Sequence, residues 1–513
     1  MTDRDMTPDR TETASMAGAW LTKGWGEGIQ ISAKLLRQAG LWRVVPLVLA
    51  GLVAAVVWAP MSANSWGGGT GCANSGCTTP FAVPLPIPQT LAPTSQDATT
   101  DYYTVTEKPA NLSVIPGKTT PMWTYNGTWP GPVIKATSGR QVKLHVVNNL
   151  SFATTTHLHG AHVAPSSDGG PVDLLPAGQA RDYVYPNNQS AWTQWYHDHV
   201  MDNTGKNVYM GLAGLYLISD PKEQALNLPS GAYDVPLVIQ DRTFNADGTL
   251  AYAPSSSDYR TGLMGDTLFV NGAAQPYFQV STHKYRFRIL NGSNARYYTF
   301  SLSNGATMTQ IGTEAGLLSK PYSQSSITLA PAERAEVVID FGSVPVGTSV
   351  SLRNSSGWNG ATDIMRFDVT NPTSDTSTVP ATLRPFTPLS ASAVSVWRTF
   401  TIAESNGMWA FNGKMYDPNR IDANVALGAT EEWTFQNRSG QDHPIHMHDI
   451  NFQVVSGAST SGPNSEWKET INVPSWSSVT VRAQFPDFTG IYMFHCHILE
   501  HEDHMLMAQF KVG

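Results

Sequence analysis

Ten of the 14 histidines in this 513-residue chain fall in four short motifs. In a β-strand, the outer residues of a His-x-His triplet point to the same face, so each triplet offers two imidazoles to one site. One such pair is weak evidence, but four pairs predict a metal centre. The motifs are HLHG (His157, His159), WYHDH (His197, His199), HPIHMH (His443, His446, His448) and HCHILEH (His495, His497, His501).

One cysteine, Cys496, stands between His495 and His497 in the last motif. Successive residues of a strand face opposite sides, so Cys496 is predicted to face one site and the flanking histidines another. An all-imidazole collection of this size would require several separate zinc ions, whereas two imidazoles and one thiolate are typical of a blue copper centre. His443 and His501 can complete that set. The adjacency predicts a short covalent route for electrons between two metal sites.

The composition predicts that β-strands position these motifs. Charged residues make up 14% of the chain while glycine (43) and proline (34) are plentiful, which favours short strands joined by turns. Three segments, 142–160, 285–302 and 431–448, share an alternating strand ending in Asn, a loop and a second strand. Their spacing of about 145 residues suits three β-sandwich domains in an all-β fold. Histidines occur in the second strand of the first and third segments only.

The four motifs together resemble the copper-binding signatures of three-domain multicopper oxidases, over roughly residues 100–513. The stretches HLHGAHVAPSSDG, WYHDHVMDNTGKNVYMGLAGLYLISDPKE and HCHILEHEDH are most similar to the laccase-like branch that holds spore-coat laccases and bilirubin oxidases. The resemblance implies three cupredoxin-like Greek-key β-sandwich domains. The first domain would cover 99–225, the second 226–380 and the third 381–513. The second would have no copper ligands of its own, and the third would hold the type 1 copper.

The resemblance also implies four copper ions, one type 1, one type 2 and a type 3 pair, with dioxygen as co-substrate. Four successive one-electron oxidations of a donor would be coupled to reduction of dioxygen to two waters. His443, Cys496 and His501 would bind the type 1 copper, which takes electrons from the donor. The other ligands would be His157 and His446 for type 2, and His159, His197, His199, His448, His495 and His497 for type 3.

The axial position of the type 1 site departs from the pattern of this branch. The residue ten positions after the cysteine is usually a weakly binding methionine, and here it is Leu506, flanked by Met505 and Met507. If Leu506 occupies the position, the copper has three protein ligands and its reduction potential rises, because no thioether stabilises the oxidised metal. If the segment shifts by one residue, Met505 or Met507 coordinates instead. We expect Leu506 at this position.

Two carboxylates match those that the family uses at the cluster, Glu502 after ligand His501 and Asp168 in the SSDGG stretch. Their expected role is catalytic, as a proton supply that also tunes water at the cluster; the alternative is a surface or capping carboxylate. Asp198 either orients its flanking ligands or is exposed. Four further histidines are expected not to be ligands, although the last could line the substrate entrance: His145, His162, His283 and His504.

An uncharged, mostly apolar segment spans residues 44–63 and follows several basic residues. Twenty such residues are enough to cross a bilayer, with the basic end in the cytoplasm, so residues 1–65 are predicted to be a cytoplasmic N-terminus and a signal or anchor segment. The length favours a retained anchor, whereas the small residues 63–65 form an acceptable cleavage site. Both outcomes predict an exported protein, periplasmic or extracellular.

Residues 66–98 are rich in Gly and then Pro, which predicts a flexible linker that holds the folded part away from the membrane. This linker contains Cys72 and Cys77, which could form a small disulfide in an exported protein. The formal net charge of −8 gives no support for a nucleic-acid partner. We expect a monomer whose partner is a small reducing substrate.

The expected donors are phenols and aromatic amines, oxidised at a shallow site near His501. Bilirubin or metal ions, such as cuprous, ferrous or manganous ions, are alternatives. Metal-oxidising relatives often carry methionine-rich insertions, but residues 355–407 contain only Met365, which disfavours a cuprous oxidase. A rival of another class is a non-catalytic copper-binding or cell-envelope cupredoxin scaffold, which the complete ligand motifs disfavour.

Overall fold

The computed structural model describes residues 78–356, 363–457 and 461–513. The predicted apolar helix at 44–63, and Cys72 and Cys77, lie outside these residues. Among the helices of the described ranges, none combines the length and the apolar character needed to cross a membrane. The described chain consists mainly of β-strands, which confirms the all-β prediction.

The first group of strands builds two mixed sheets, because β2 is parallel to β5 in one and β4 is parallel to β9 in the other. One has the order β1-β2-β5-β7 with β3 beside β2, and the other has the order β4-β9-β8-β6. Both contribute to a single hydrophobic core, so we call this pair the first sandwich. Its strands are β1 (Ser95–Gln96), β2 (Thr100–Leu112), β3 (Thr120–Tyr125), β4 (Gly131–Thr137), β5 (Gln141–Asn148), β6 (His157–His159), β7 (Ala180–Tyr185), β8 (Trp192–His197) and β9 (Ala213–Ser219).

The second sandwich also has two sheets around one core. Its strands are β10 (Asp234–Arg242), β11 (Thr267–Val270), β12 (Ala273–Ala274), β13 (Tyr277–Ser281), β14 (Lys284–Asn291), β15 (Tyr298–Leu302), β16 (Met308–Thr313), β17 (Gly316–Gln324), β18 (Ile327–Leu329), β19 (Arg334–Asp340), β20 (Ser349–Asn354) and β21 (Asp363–Asn371). The sheet orders are β12-β11-β10-β14-β19-β16-β17 and β13-β21-β20-β15-β18.

The third sandwich follows the same plan. Its strands are β22 (Val394–Ser405), β23 (Met408–Phe411), β24 (Ala423–Val425), β25 (Thr430–Asn437), β26 (His443–Met447), β27 (Phe452–Ser456), β28 (Trp467–Lys468), β29 (Thr470–Val473), β30 (Ser478–Gln484), β31 (Gly490–Cys496) and β32 (Met507–Val512). The sheet orders are β23-β22-β25-β30-β27-β28 and β24-β32-β31-β26-β29. The domain limits 99–225, 226–380 and 381–513 stay a prediction.

Helices are short in the described ranges, as the composition predicts. Asp220 caps the helix Pro221–Gln224, because its side chain accepts a hydrogen bond from the Glu223 N–H, and Pro221 occupies the first turn. The α-helices are α1 (Thr204–Tyr209), α2 (Pro221–Gln224), α3 (Asp258–Thr261) and α4 (Leu499–Asp503). The 3-10 helices are Pro165–Ser167, Gly231–Tyr233, Ala391–Ala393 and Gly462–Ser465.

The three repeated segments share one hydrogen-bonding device at the end of the alternating strand. Asn148, Asn291 and Asn437 each donate from Nδ2 to a main-chain carbonyl four or five residues ahead, at 2.8, 2.8 and 2.6 Å. Each also donates to a carbonyl more distant in sequence, and each Oδ1 accepts from the N–H two residues ahead. These side chains satisfy loop groups that no strand partner reaches, so the same strand–loop–strand geometry recurs.

Strand alternation has different consequences in the first and second sandwiches. In β5, Val142 and Leu144 are buried and the intervening residues are partly exposed, as the pattern predicts. In β14 the polar positions are buried as well. Arg286 and Arg288 lie there and both bind the carboxylate of Glu336. Charged groups are rarely buried without partners, so these ion pairs allow both faces of β14 to be covered.

Two strand pairings bring the histidine motifs together. In the first sandwich β6 runs antiparallel to β8, with His157 opposite His197. In the third, β26 runs antiparallel to β31, which places His446 opposite His495 and Ile445 opposite the cysteine at 496. In the second sandwich the matching strand β15 pairs with β18 and β20 and carries no histidine. The register of two sheets therefore positions the candidate site.

Candidate metal centres

His443, Cys496 and His501 form a compact group of donors in the third sandwich. Cys496 Sγ lies 3.5 Å from His443 Nδ1 and 3.6 Å from His501 Nδ1, and the two Nδ1 atoms are 3.2 Å apart. The opposite nitrogens are engaged, because His443 Nε2 lies 3.0 Å from Ser439 Oγ and His501 Nε2 lies 3.0 Å from the Arg260 carbonyl. These contacts fix both rings with Nδ1 facing the sulfur.

Burial leaves this group without a positive charge of its own. It raises the pKa of the Cys496 thiol, it lowers the pKa of His443 well below its ordinary value, and it lowers the pKa of His501 to about 3. Neither imidazole therefore supplies a charge that could stabilise a thiolate. A bound cation would supply it, and two imidazoles with one thiolate suit copper.

Eight imidazoles from the first and third sandwiches form a second cluster. They form three groups of three, of which two share His159, and within each group the candidate ligand atoms lie within 4.8 Å of one another. All eight side chains are buried. The groups are His157, His159 and His446; His159, His197 and His497; and His199, His448 and His495.

In the first sandwich, backbone carbonyls hold one nitrogen of the ring and leave the other free. His157 Nδ1 donates to the Asp168 carbonyl at 2.6 Å, and His197 Nδ1 donates to the Asp198 carbonyl at 2.8 Å. The Nε2 atoms of both rings are buried without a hydrogen-bond partner in the described part of the chain. Buried polar atoms are normally paired, so these nitrogens fit metal ligands.

Glu469 of the third sandwich orients the rings of His159 and His446, through its carboxylate and its main-chain carbonyl. Glu469 Oε1 accepts from His159 Nε2 at 2.7 Å, and the Glu469 carbonyl accepts from His446 Nδ1 at 3.0 Å. The remaining nitrogens, His159 Nδ1 and His446 Nε2, have no hydrogen-bond partner among the described residues. Glu469 therefore turns one nitrogen of each ring toward the cluster.

The third group is oriented by two carboxylates. His448 Nε2 lies 3.3 Å from His199 Nε2 and 3.2 Å from His495 Nε2. On the outer side, His199 Nδ1 and His495 Nδ1 each lie 3.0 Å from an oxygen of Glu502, and His448 Nδ1 lies 2.8 Å from Asp168 Oδ2. Three nitrogens that converge while their partners hold the opposite edges fit a single metal ion.

Comparison with known proteins decides the family. Models described as multicopper oxidase match residues 106–223, 192–348 and 391–513. A laccase from Bacillus stratosphericus is 37% identical, covering 84% of this chain and 99% of its own. A bilirubin oxidase from Albifimbria verrucaria is 36% identical, covering 84% of this chain and 81% of its own. The chain belongs to the multicopper oxidase family.

A solved structure supports the same conclusion. The crystal structure of a laccase from Pediococcus acidilactici has a TM-score of 0.79 and 32% identity, covering 85% of this chain and 96% of that one. This multicopper oxidase therefore has a cupredoxin-like multidomain fold and laccase-like activity with dioxygen as acceptor. The family holds four coppers, of types 1, 2 and 3, and the buried histidine groups fit them.

Asp168 and Glu502 are buried, each with 3% exposure, so neither is a surface carboxylate. Burial alone would raise the pKa of both groups, but facing imidazoles hold each pKa well below its ordinary value. Asp198 is buried too, which corrects the exposed alternative. Its carboxylate accepts hydrogen bonds from the Thr155 and Val200 N–H groups, both at 3.1 Å, so it holds the backbone around the ligands.

The residues near the axial position separate into two hydrophobic clusters. Leu506 is fully buried in the cluster that contains Cys496, and its carbonyl accepts a hydrogen bond from the Cys496 N–H at 3.1 Å. Met507 and Met505 pack in a different cluster, around Tyr416. This division places Leu506, and neither methionine, in the hydrophobic core that contains Cys496.

The four histidines expected not to be ligands belong to none of the groups formed by the described residues. His145 lies 2.7 Å from Asp182, and His162 lies 2.8 Å from Asn451. His283 stacks on Tyr233, and His504 stacks on Tyr259 with ring centroids 5.2 Å apart. Each contact explains the residue without a metal.

Sequence reasoning missed Glu469 and its partner Arg334. Arg334 Nη1 lies 2.5 Å from Glu469 Oε1 and Nη2 lies 2.9 Å from Oε2, and both side chains are buried. Neither residue stands in a histidine motif, and Arg334 belongs to the second sandwich. A single Glu in the stretch KETINV carries no spacing signal, so only the folded structure identifies it.

Proposed function

We propose that this multicopper oxidase oxidises phenols and aromatic amines, with His443, Cys496 and His501 as the ligands of its type 1 copper. The observation that carries the assignment is the convergence of two Nδ1 atoms on the cysteine sulfur, at 3.5 and 3.6 Å. Leu506 takes the axial position. Without a thioether the reduction potential rises, which favours donors that are difficult to oxidise.

The three imidazole groups support our proposal for the other coppers. His157 and His446 hold the type 2 copper, because their unpartnered Nε2 atoms belong to one group. Six imidazoles hold the type 3 pair: His159, His197 and His497 on one ion, and His199, His448 and His495 on the other. Bound copper supplies the electron transfer and the reduction of dioxygen.

The protein residues orient ligands and handle protons. Cys496 joins the two sites through the main chain, because its neighbours His495 and His497 face the imidazole cluster. The Glu502 oxygens lie 3.0 Å from His199 Nδ1 and His495 Nδ1 and hold negative charge beside the cluster. Water formation needs protons at this buried place, and Glu502 and Asp168, which the facing imidazoles keep ionised, are the carboxylates placed to accept protons and relay them to the cluster.

Export is part of the same proposal. The apolar residues 44–63, preceded by basic residues, would take the folded part across a membrane, and the first part of the predicted linker, 66–77, would act as the tether. The later part of that linker belongs to the folded part, which corrects the prediction for 78–98: the Leu85 N–H donates to the Tyr277 carbonyl at 2.7 Å and the Leu91 N–H donates to the Val133 carbonyl at 2.8 Å.

A metal-oxidase role is the second candidate, and one observation favours it. Four methionines that are scattered in the sequence gather around Tyr416, two of them buried and two partly buried. Thioethers suit Cu(I). The methionines are Met201, Met493, Met505 and Met507.

The first experiment loads the full-length chain with copper and records its visible spectrum, its copper content and its oxygen consumption with 2,6-dimethoxyphenol and with Cu(I). An intense blue band with four coppers per chain, abolished by Cys496→Ser and kept by the matched control Cys72→Ser, supports the assignment. Faster turnover of Cu(I) than of the phenol would favour the second candidate. Copper binding without a blue band would overturn the type 1 ligand set.

A further inference from the structure

The ring edge of His501 is covered by the protein. His501 is 0% exposed, and its Nε2 donates to the Arg260 carbonyl at 3.0 Å. Arg260 belongs to α3, and its exposed side chain forms an ion pair with Glu404 at 2.8 Å. A donor that approaches His501 therefore meets α3 where the sequence predicted a shallow site.

A cavity of about 440 Å³ lies beside α3, whose Thr261 is part of its wall. Ile498, Met264 and Tyr297 supply apolar or aromatic lining. The Ile498 N–H lies 3.5 Å from Cys496 Sγ, so one residue separates the cavity from the sulfur. The volume is in the range of small-molecule sites, and one aromatic ring fits the apolar walls.

Asp442 gives this cavity a fixed carboxylate. It precedes ligand His443 in the chain. Its Oδ2 accepts from Asn472 Nδ2 at 2.9 Å and its Oδ1 accepts from the Ser475 N–H at 2.8 Å. Both donors are neutral, and none of the ion pairs between described residues includes Asp442. Each oxygen retains a further lone pair, so the carboxylate can accept from a ligand.

The one cation among the lining residues is already balanced. Arg296 is 1% exposed, and its Nε lies 2.8 Å from Asp241 Oδ2, while Nη2 lies 2.5 Å from the Gly265 carbonyl. Its charge is therefore directed away from a ligand. Asp442 leaves the cavity with an excess of negative charge beside apolar walls.

We propose that this cavity is the donor site, and that Asp442 selects aromatic donors that carry a cationic amine over anionic ones. The inference rests on the proposed function and names its substrate class. The ring lies against Ile498 and Met264, and the ammonium group donates to the Asp442 carboxylate. A charge-assisted hydrogen bond in a half-buried place discriminates strongly against an anion.

The test measures binding of two redox-inert rings of opposite charge, benzylammonium and benzenesulfonate, to the copper-loaded full-length enzyme by ligand-observed NMR. Benzylammonium is expected to bind more tightly. Asp442→Asn is expected to weaken its binding about three- to tenfold and to leave benzenesulfonate binding equal or tighter. Gln441→Lys places a cation in the same cavity without removing either hydrogen bond of Asp442. It is therefore also expected to weaken benzylammonium binding and to leave benzenesulfonate binding equal or tighter.

Asp340→Asn is the matched control, because Asp340 is a 57% exposed carboxylate of the second sandwich that does not line this cavity. It should bind both rings as the unchanged enzyme does. The proposal is overturned if Asp442→Asn or Gln441→Lys keeps the blue band and the full preference for benzylammonium, or if Asp340→Asn loses as much of it. Binding is measured without turnover, so absence of oxygen consumption would count against the proposed function alone.

Discussion

Glu469 joins the third sandwich to a ligand of the first, because its Oε1 accepts from His159 Nε2 at 2.7 Å across 310 residues of sequence. The same carboxylate binds Arg334 of the second sandwich, with Nη2 to Oε2 at 2.9 Å. One buried side chain therefore fixes the imidazole cluster relative to all three sandwiches.

Replacing this carboxylate should damage the imidazole cluster and spare the type 1 copper. In Glu469→Gln the amide cannot both accept from His159 and pair with Arg334 as an anion. We expect copper affinity at the cluster to fall about tenfold to a hundredfold. Copper content should drop below four per chain while the blue band stays.

Glu466→Gln is the matched control for this variant. Glu466 is also a buried carboxylate, but it accepts from the Ser319 N–H at 2.7 Å and contacts no histidine. It should keep four coppers. Equal copper loss in both variants would mean that Glu469 acts through general stability rather than by orienting His159.

Glu502→Gln should slow the reaction with dioxygen and leave donor oxidation intact. The carboxylate lies 3.0 Å from His199 Nδ1 and His495 Nδ1, so its loss removes negative charge and a proton carrier beside the cluster. A positioned acid or base contributes about a hundredfold or more. Stopped-flow recovery of the blue band after anaerobic reduction measures this step.

Glu500→Gln is the matched control, because it replaces a buried carboxylate of the same helix that does not face His199 or His495. Glu500 is buried in the same helix, but it accepts from Asn294 Nδ2 at 2.8 Å and the Leu263 N–H at 3.0 Å. It should reoxidise at the rate of the unchanged enzyme. If the anaerobic bleaching rate of Glu502→Gln falls as much as its reoxidation rate, the role assigned to Glu502 is wrong.

The sequence predicts which histidine and cysteine donors lie together, and it misses the residues that support them, for a physical reason. Candidate ligands such as His157 and Cys496 lie in short strands, where alternation alone determines which residues share a face. Glu469 and Arg334 support those ligands through contacts between strands far apart in sequence, which no local pattern records. The Arg260 carbonyl over His501 is a backbone contact, which side-chain identity does not encode.

Leu506→Met tests the axial position. A thioether in the core around Cys496 would stabilise the oxidised copper, so the type 1 reduction potential should fall. Redox titration of the blue band measures it, and oxidation of high-potential phenols should slow. Met507→Leu removes a thioether from the neighbouring cluster and should leave the potential unchanged. An unchanged potential in Leu506→Met combined with a higher potential in Met507→Leu would favour the alternative in which a methionine already coordinates.

Glu107 gives the first sandwich a pH-dependent stability. It is fully buried, and its carboxylate accepts from Thr154 Oγ1 at 2.5 Å and Thr156 Oγ1 at 3.1 Å. Burial raises its pKa to about 8 from an ordinary value of 4.5. Between these values the folded chain holds a proton that the unfolded chain releases. Stability is therefore greatest below the lower value and is lost as the pH rises toward the upper one.

Glu107→Gln should remove this pH dependence, because the amide stays neutral and can still accept from one threonine. One proton changes the free energy of unfolding by at most about 1.4 kcal/mol per pH unit within the window. The melting temperature of the variant minus that of the unchanged enzyme should therefore be more positive at pH 8 than at pH 5. Calorimetry of both copper-loaded proteins at the two pH values measures the difference. Melting temperatures that change in parallel would show that Glu107 is already ionised in the folded protein.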